Sequence, residues 1–143
     1  MNGQKVKIVL IEDRATDVEL ALDALRQYNL ANQVKVIMDG EEALQYIFER
    51  CASGGEECPH VILLDLKLPK VSGLEILERI RSDERTKTIP VVVLTSSTED
   101  KDRVESYKLG VNSYIVKPVE FDNFAKAVSE IGFYWVLLNQ PPY

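Results

Sequence analysis

Three short apolar runs in this chain each end on a charge. Ile8-Val9-Leu10-Ile11 runs into Glu12-Asp13, Val61-Ile62-Leu63-Leu64 into Asp65, and Tyr114-Ile115-Val116 into Lys117-Pro118. Runs of this kind read as parallel strands buried on both faces, whose C-terminal ends open onto solvent. An open parallel sheet binds its ligands at that edge. Three acids and one lysine are therefore expected along one edge of one sheet.

The rest of the chain fits that sheet. Strands are expected near residues 7–11, 34–38, 61–64, 91–95 and 113–116, alternating with five helices. The first helix, 16 to about 28, opens with Thr16-x-x-Glu19, a capping-box pattern, and repeats Val18, Ala21, Leu22 and Leu25 on one face. The second spans 40 to about 50, with Ala43, Leu44, Ile47 and Phe48 toward the core. Ser72-x-x-Glu75 is another capping box, followed by Leu74, Leu77 and Ile80. The fourth helix, 100–109, ends at Gly110, a residue suited to the left-handed position after a helix. The last runs from 120 to about 138. Alternating β and α elements give an α/β fold, a doubly wound five-stranded parallel sheet with helices on both faces.

Length and charge narrow the function. The 143 residues suit one domain, with a core of about 5–131 and an apolar extension at 132–143. A domain of this size buries roughly 70% of its unfolded surface and needs no disulfide or metal to fold. Cys51 and Cys58, flanking a loop-like stretch expected to be exposed and mobile, read as two free thiols. His60, the one histidine, precedes a strand and reads as a loop residue. The net charge of −6 disfavours nucleic acid as a partner. Neither a signal peptide nor an apolar stretch of ~20 residues is visible, so a cytoplasmic protein with no membrane partner is expected.

At the strand ends, Glu12, Asp13 and Asp65 would repel one another unless a cation intervened. Carboxylates in a site that handles phosphate suit Mg²⁺, which takes six oxygens and keeps part of its water. Asp13 and Asp65 are expected to ligate directly. Glu12 is expected to act through water, because successive strand residues point to opposite sides. Lys117 adds an ammonium, and Thr95 and Ser96 add hydroxyls. A carboxylate nucleophile beside a divalent ion, a lysine and a hydroxyl is a phosphoryl-transfer set, with Asp65, Lys117 and Thr95 as its reacting members. Pro118 could carry a cis bond that turns the lysine inward.

At these residues the chain resembles the response-regulator receiver family, the chemotaxis-type phosphoacceptor domains of two-component signalling. The motifs are Glu12-Asp13, Asp65 followed by Leu68-Pro69-Lys70-Val71-Ser72-Gly73, Thr95-Ser96 and Lys117-Pro118. Thirty residues separate Asp65 from Thr95, and twenty-two separate Thr95 from Lys117, as in the family. The resemblance implies that Asp65 accepts a phosphoryl group from a sensor histidine kinase. It also implies that the backbone carbonyl of Lys67 is a further metal ligand, that Thr95 is a switch hydroxyl and that Tyr114 is a switch aromatic. A downstream protein target or a phosphotransfer protein would read the change.

The C-terminal stretch Phe133-Tyr134-Trp135-Val136-Leu137-Leu138 is apolar on every side of a helix, more than one core-facing stripe requires. It looks like the tail of stand-alone receivers that work with phytochromes. That likeness implies a homodimer, with Tyr134, Trp135 and Leu138 at its surface. Three other readings compete with this one. An aspartyl-phosphate phosphatase would place a second Asp two after its nucleophile, where this chain has Lys67. A flavodoxin-like cofactor binder would want a Ser, Thr or Gly-rich loop in place of Glu12-Asp13-Arg14-Ala15. A degenerate receiver, acting as a phosphorylation-independent binding module, would lack some site position, and here all are filled.

Overall fold

The computed structural model describes residues 7–27, 34–52, 57–95, 108–111, 113–117 and 122. Among them are the strands β1 (Ile8–Ile11), β2 (Val34–Ile37), β3 (Val61–Asp65), β4 (Val91–Thr95) and β5 (Ser113–Val116), with the helices α1 (Ala15–Arg26), α2 (Gly40–Cys51) and α3 (Gly73–Ser82). The strands form one parallel sheet in the order β2-β1-β3-β4-β5. From β1 the chain winds outward to β2, then crosses to β3 on the other side of β1. The crevice between β1 and β3 is thus the switch point at which such sheets bind ligands.

The alternation of strand side chains divides the core in two. Ile8, Leu10, Leu63, Leu94 and Ile115 pack with Val18, Ala21 and Leu25 of α1 on one face. Val9, Ile11, Ile62, Leu64 and Val93 pack with Leu44 and Ile47 of α2 and Ile76, Leu77 and Ile80 of α3 on the other. Each fully buried Ile or Leu stabilises the fold by about 1.5–3 kcal/mol relative to an exposed one. The doubly wound sheet is as the sequence led us to expect.

Helix starts are set by what satisfies their first N–H groups. The Ser72 hydroxyl accepts from the Glu75 N–H at 3.1 Å, as its capping box implied. Asp39 caps α2, accepting from the Glu42 N–H at 3.0 Å, and this bond holds its carboxyl below the usual range. The expected cap at Thr16 is corrected. α1 begins at Ala15, Arg14 occupies the cap position without a side-chain cap bond, and Thr16 lies within the first turn. The Glu12 carboxylate accepts from the Arg14 N–H instead, at 3.2 Å, so the chain turns from β1 into α1 without a hydroxyl cap.

The free-thiol reading of Cys51 and Cys58 is also corrected: the two form a disulfide. The last residue of α2 and the approach to β3 reach the same end of the molecule, which brings their Cα atoms to 4.5 Å, within disulfide range. His60 lies at that end as well, far from the acidic strand ends. Its N–H donates to the Lys7 carbonyl and its Nδ1 accepts from the Lys7 N–H, both at 2.8 Å, which extends the β1–β3 ladder. Arg81, which sequence reasoning missed, anchors the far side of the domain. It donates to the carbonyls of Gly110, Lys87 and Ile89, and Gly110 has the expected positive φ of 74°.

Several expectations fall outside the described residues: most of the fourth helix, the last helix, Ser96, Pro118, and Tyr134, Trp135 and Leu138. No helix among the described residues is long and apolar enough to cross a membrane.

Candidate functional site

Strand register assembles the site. Ile11 pairs with Leu64, so Glu12 and Asp65 leave adjacent strands side by side. Asp65 pairs with Leu94, and Thr95 with Val116, so Thr95 and Lys117 follow at the next two strand ends. Ile115, Leu10 and Leu63 face α1, and two residues further along each strand stand Lys117, Glu12 and Asp65. All three therefore leave the sheet toward α1.

Lys117 is the hub of this group. Its Nζ lies 2.6 Å from Glu12 Oε1, 3.0 Å from Asp17 Oδ2 and 3.3 Å from Asp65 Oδ1. The Lys117, Glu12 and Asp65 side chains are nearly inaccessible, whereas Asp17 keeps 16% exposure. Asp65 Oδ1 also accepts from the Lys67 N–H at 3.2 Å. Arg14 Nε stands 3.8 Å from Asp17 Oδ2 at the rim.

Burial pushes the Glu12 carboxyl up to about 7, against the hydrogen bond from Lys117, and the Asp65 charge adds to the rise. Burial alone would lower Lys117, but Glu12 and Asp17 accept from it and hold the ammonium above its ordinary value. Three carboxylates around one ammonium leave negative charge in excess.

Glu12, Asp13 and Asp65 each offer an oxygen within 4.8 Å of the others. Asp13 Oδ1 is buried and has no hydrogen-bond partner among the described residues. An orphaned carboxylate oxygen in an all-oxygen donor set fits a hard divalent cation.

Glu12, Asp13, Asp65 and Lys117 are brought together at one edge of the sheet. Lys67 lies directly beyond β3 with its side chain exposed, and Tyr114 is half-buried against the core on the α2 and α3 face. Thr95 ends β4, and its side chain lies outside what is described. Asp17 was missed. Its signal was available in the strand period, which aims three charged strand ends at α1, and in the acid that α1 carries in its first turn.

Residues 8–129 match the family described as the response regulator receiver domain. The chain belongs to that family. Receiver domains are phosphoacceptors of two-component systems, phosphorylated by histidine kinases. This receiver is 40% identical over 135 residues to the probable methanogenesis regulatory protein FilR2 of Methanothrix harundinacea (strain 6Ac), covering 94% of this chain and 86% of FilR2. It is 35% identical over 135 residues to response regulator Rcp1 of Synechocystis sp. (strain ATCC 27184 / PCC 6803 / Kazusa), covering 94% and 91%. Among solved structures, the bacteriophytochrome response regulator RtBRR is 48% identical with a TM-score of 0.79, covering 99% of this chain and 85% of RtBRR. A Mn(2+)-bound form of Rcp1 is 33% identical with a TM-score of 0.69, covering 93% and 95%. Receiver domains bind Mg²⁺ or Mn²⁺ at acidic residues, and this receiver carries an acidic cluster of Glu12, Asp13 and Asp65.

Proposed function

We propose that this chain is a stand-alone receiver whose Asp65 takes a phosphoryl group from the phosphohistidine of a sensor kinase. The observation that carries the reading is the Lys117 ammonium, 3.3 Å from Asp65 Oδ1 beside the acidic cluster. Asp65 supplies the attacking oxygen. An O–P bond forms as the N–P bond to the kinase imidazole breaks, and the imidazole leaves with a proton. Lys117 turns a donor toward the phosphoryl oxygens. Mg²⁺ is the cation that suits these donors, and when bound it neutralises charge on the phosphoryl group. Asp13 and Asp65 would hold it directly, Glu12 through water, and the Lys67 carbonyl would complete the protein's share. Thr95 would then hydrogen-bond the phosphoryl group and Tyr114 turn inward, shifting the population toward a state that binds a different protein partner.

The test is incubation with acetyl phosphate and Mg²⁺, read by intact mass. An adduct of about 80 Da is expected. Its absence under every condition would favour the degenerate binding module. Lys67, in place of a general acid, supports a signalling switch over a phosphatase acting on an external substrate.

The likeness to RtBRR supports a phytochrome-type kinase as the input partner. The output is contact with a protein target or a phosphotransfer protein, in the cytoplasm, with no nucleic acid or membrane involved. We assign residues 1–143 to one receiver domain and the tail 132–143 to a homodimer interface built on Tyr134, Trp135 and Leu138. Truncation after Ile131 is expected to halve the apparent mass in gel filtration. An unchanged mass would remove the tail from dimerisation.

The elevated Glu12 makes a further prediction. Its folded value of about 7 exceeds the ordinary 4.5, so its contribution to stability is complete below about 4.5 and is lost as pH rises toward 7. In the metal-free protein this amounts to roughly 3 kcal/mol across the window. His60, held below its ordinary value by burial and by the Lys7 charge, works in the opposite direction. Denaturant unfolding of wild type against Glu12→Gln isolates the effect. The wild type should lose stability relative to the variant between pH ~5 and ~7.5 in EDTA, and much less in Mg²⁺. Parallel pH dependences in EDTA would show that Glu12 is ionised at no cost.

A further inference from the structure

The Lys117 ammonium has three N–H donors, and three carboxylates surround it. Two of these, Glu12 and Asp65, belong to the acidic cluster whose oxygens would face a divalent cation. The third, Asp17, does not. It stands on α1, a hundred residues from Lys117 in sequence, and accepts from Nζ at 3.0 Å. It is also the most exposed of the three acceptors, and the only one to which Arg14 lends a second positive charge, at 3.8 Å.

We propose that Asp17 is a positioning residue for Lys117: it anchors the ammonium on α1 and so leaves the Glu12 and Asp65 oxygens available to the cation. The proposal rests on the metal-centre reading above. A cation and an ammonium compete for the same carboxylate oxygens, and they repel each other. When a cation draws on Asp65 and Glu12, Asp17 is the acceptor that remains wholly with the lysine. The same holds once Asp65 carries a phosphoryl group, because its carboxylate charge is then consumed in the acyl phosphate. Lys117 pivots on Asp17 toward the new phosphoryl oxygens and does not have to leave every partner at once. Without Asp17 the ammonium settles fully on Glu12 and Asp65 and competes with the cation for their oxygens, which weakens cation binding.

The experiment is calorimetric titration of the full chain with Mg²⁺ alone, in wild type, Asp17→Asn, Lys117→Ala and the double variant. Asp17→Asn is expected to weaken Mg²⁺ about fivefold or more in the wild-type background, and by less than about twofold when Lys117 is absent. Asp17→Glu, which keeps the charge, should bind within about twofold of wild type. Wild-type affinity in Asp17→Asn overturns the proposal. So does an equal loss in both backgrounds, which would mean that Asp17 acts on the cation or the fold and not through the lysine. Binding by Asp17→Glu as weak as by Asp17→Asn overturns it also. Asp17→Ala serves the same comparison if the Asn variant folds poorly. A wild type that binds no Mg²⁺ sinks the metal-centre reading and this proposal together, whereas a binding wild type matched by Asp17→Asn sinks the proposal alone.

Discussion

Asp65→Asn is expected to take up no phosphoryl group from acetyl phosphate and Mg²⁺, while the wild type gains about 80 Da. The substitution keeps the shape of the side chain and removes the nucleophile, because an amide oxygen does not form an acyl phosphate. It should not unfold the protein. Lys117 retains Glu12 at 2.6 Å and Asp17 at 3.0 Å, and the buried Glu12 loses a repelling neighbour. Stability in EDTA is therefore expected to stay within about 1 kcal/mol of wild type or to rise. Loss of the adduct with an intact melting transition assigns the acceptor. An adduct that persists on the variant would point to another carboxylate of the cluster, Glu12 or Asp13, and would end the assignment of Asp65.

Among the described glycines, Gly73→Ala should have the largest effect on stability. Gly73 opens α3 where the helix presses on the chain just beyond β3, and its N–H donates to the Leu66 carbonyl at 2.9 Å. A Cβ there would overlap the Asp65 carbonyl oxygen and the Leu66 Cα. Both are backbone atoms at the end of a buried strand, so no rotamer change relieves the clash. A cost of at least about 3 kcal/mol follows. For a domain of this size that lowers the melting temperature by about 10 °C. Any backbone shift that accommodates the methyl moves Asp65, so phosphorylation should slow as well. Gly40→Ala is the control. Its closest neighbour would be the Ile76 Cδ1, at 2.9 Å, a side-chain end that can swing away, and a smaller loss is expected. Equal melting temperatures for Gly73→Ala and wild type would show that α3 can retreat from β3 freely.

The sheet was legible because each strand is buried on both faces and so is written as an unbroken apolar run. β4 and β5 match their expected spans, and β1, β2 and β3 differ by a residue at one end. Helix ends were less legible, since a cap depends on which group reaches the first N–H. At α1 that group is Glu12, a strand-end residue, so the Thr16 pattern misled. The acids and the lysine announced themselves as charges stopping apolar runs, whereas Asp17 sits among the ordinary charges of a helix surface. Its role shows only when the strand period, which aims the charged strand ends at α1, is set beside the acid in the first turn of that helix. The disulfide was hidden for a related reason. Seven positions apart, Cys51 and Cys58 could pair or not, depending on where the loop between them lands.

The Lys117 ion pairs have a consequence for when this domain becomes competent. They join the end of β1 to the end of β5, across a sheet in which β1 pairs with a strand 26 positions later in one direction and with one 53 positions later in the other. A chain still emerging from the ribosome has Glu12, Asp13 and Asp65 long before it has Lys117. Such non-local closure comes late in folding. An incomplete receiver therefore presents acids without their ammonium, a poor phosphoryl acceptor. Phosphorylation of newly made chains would then report finished folding, and a signalling cell would not spend its phosphoryl groups on half-made switches.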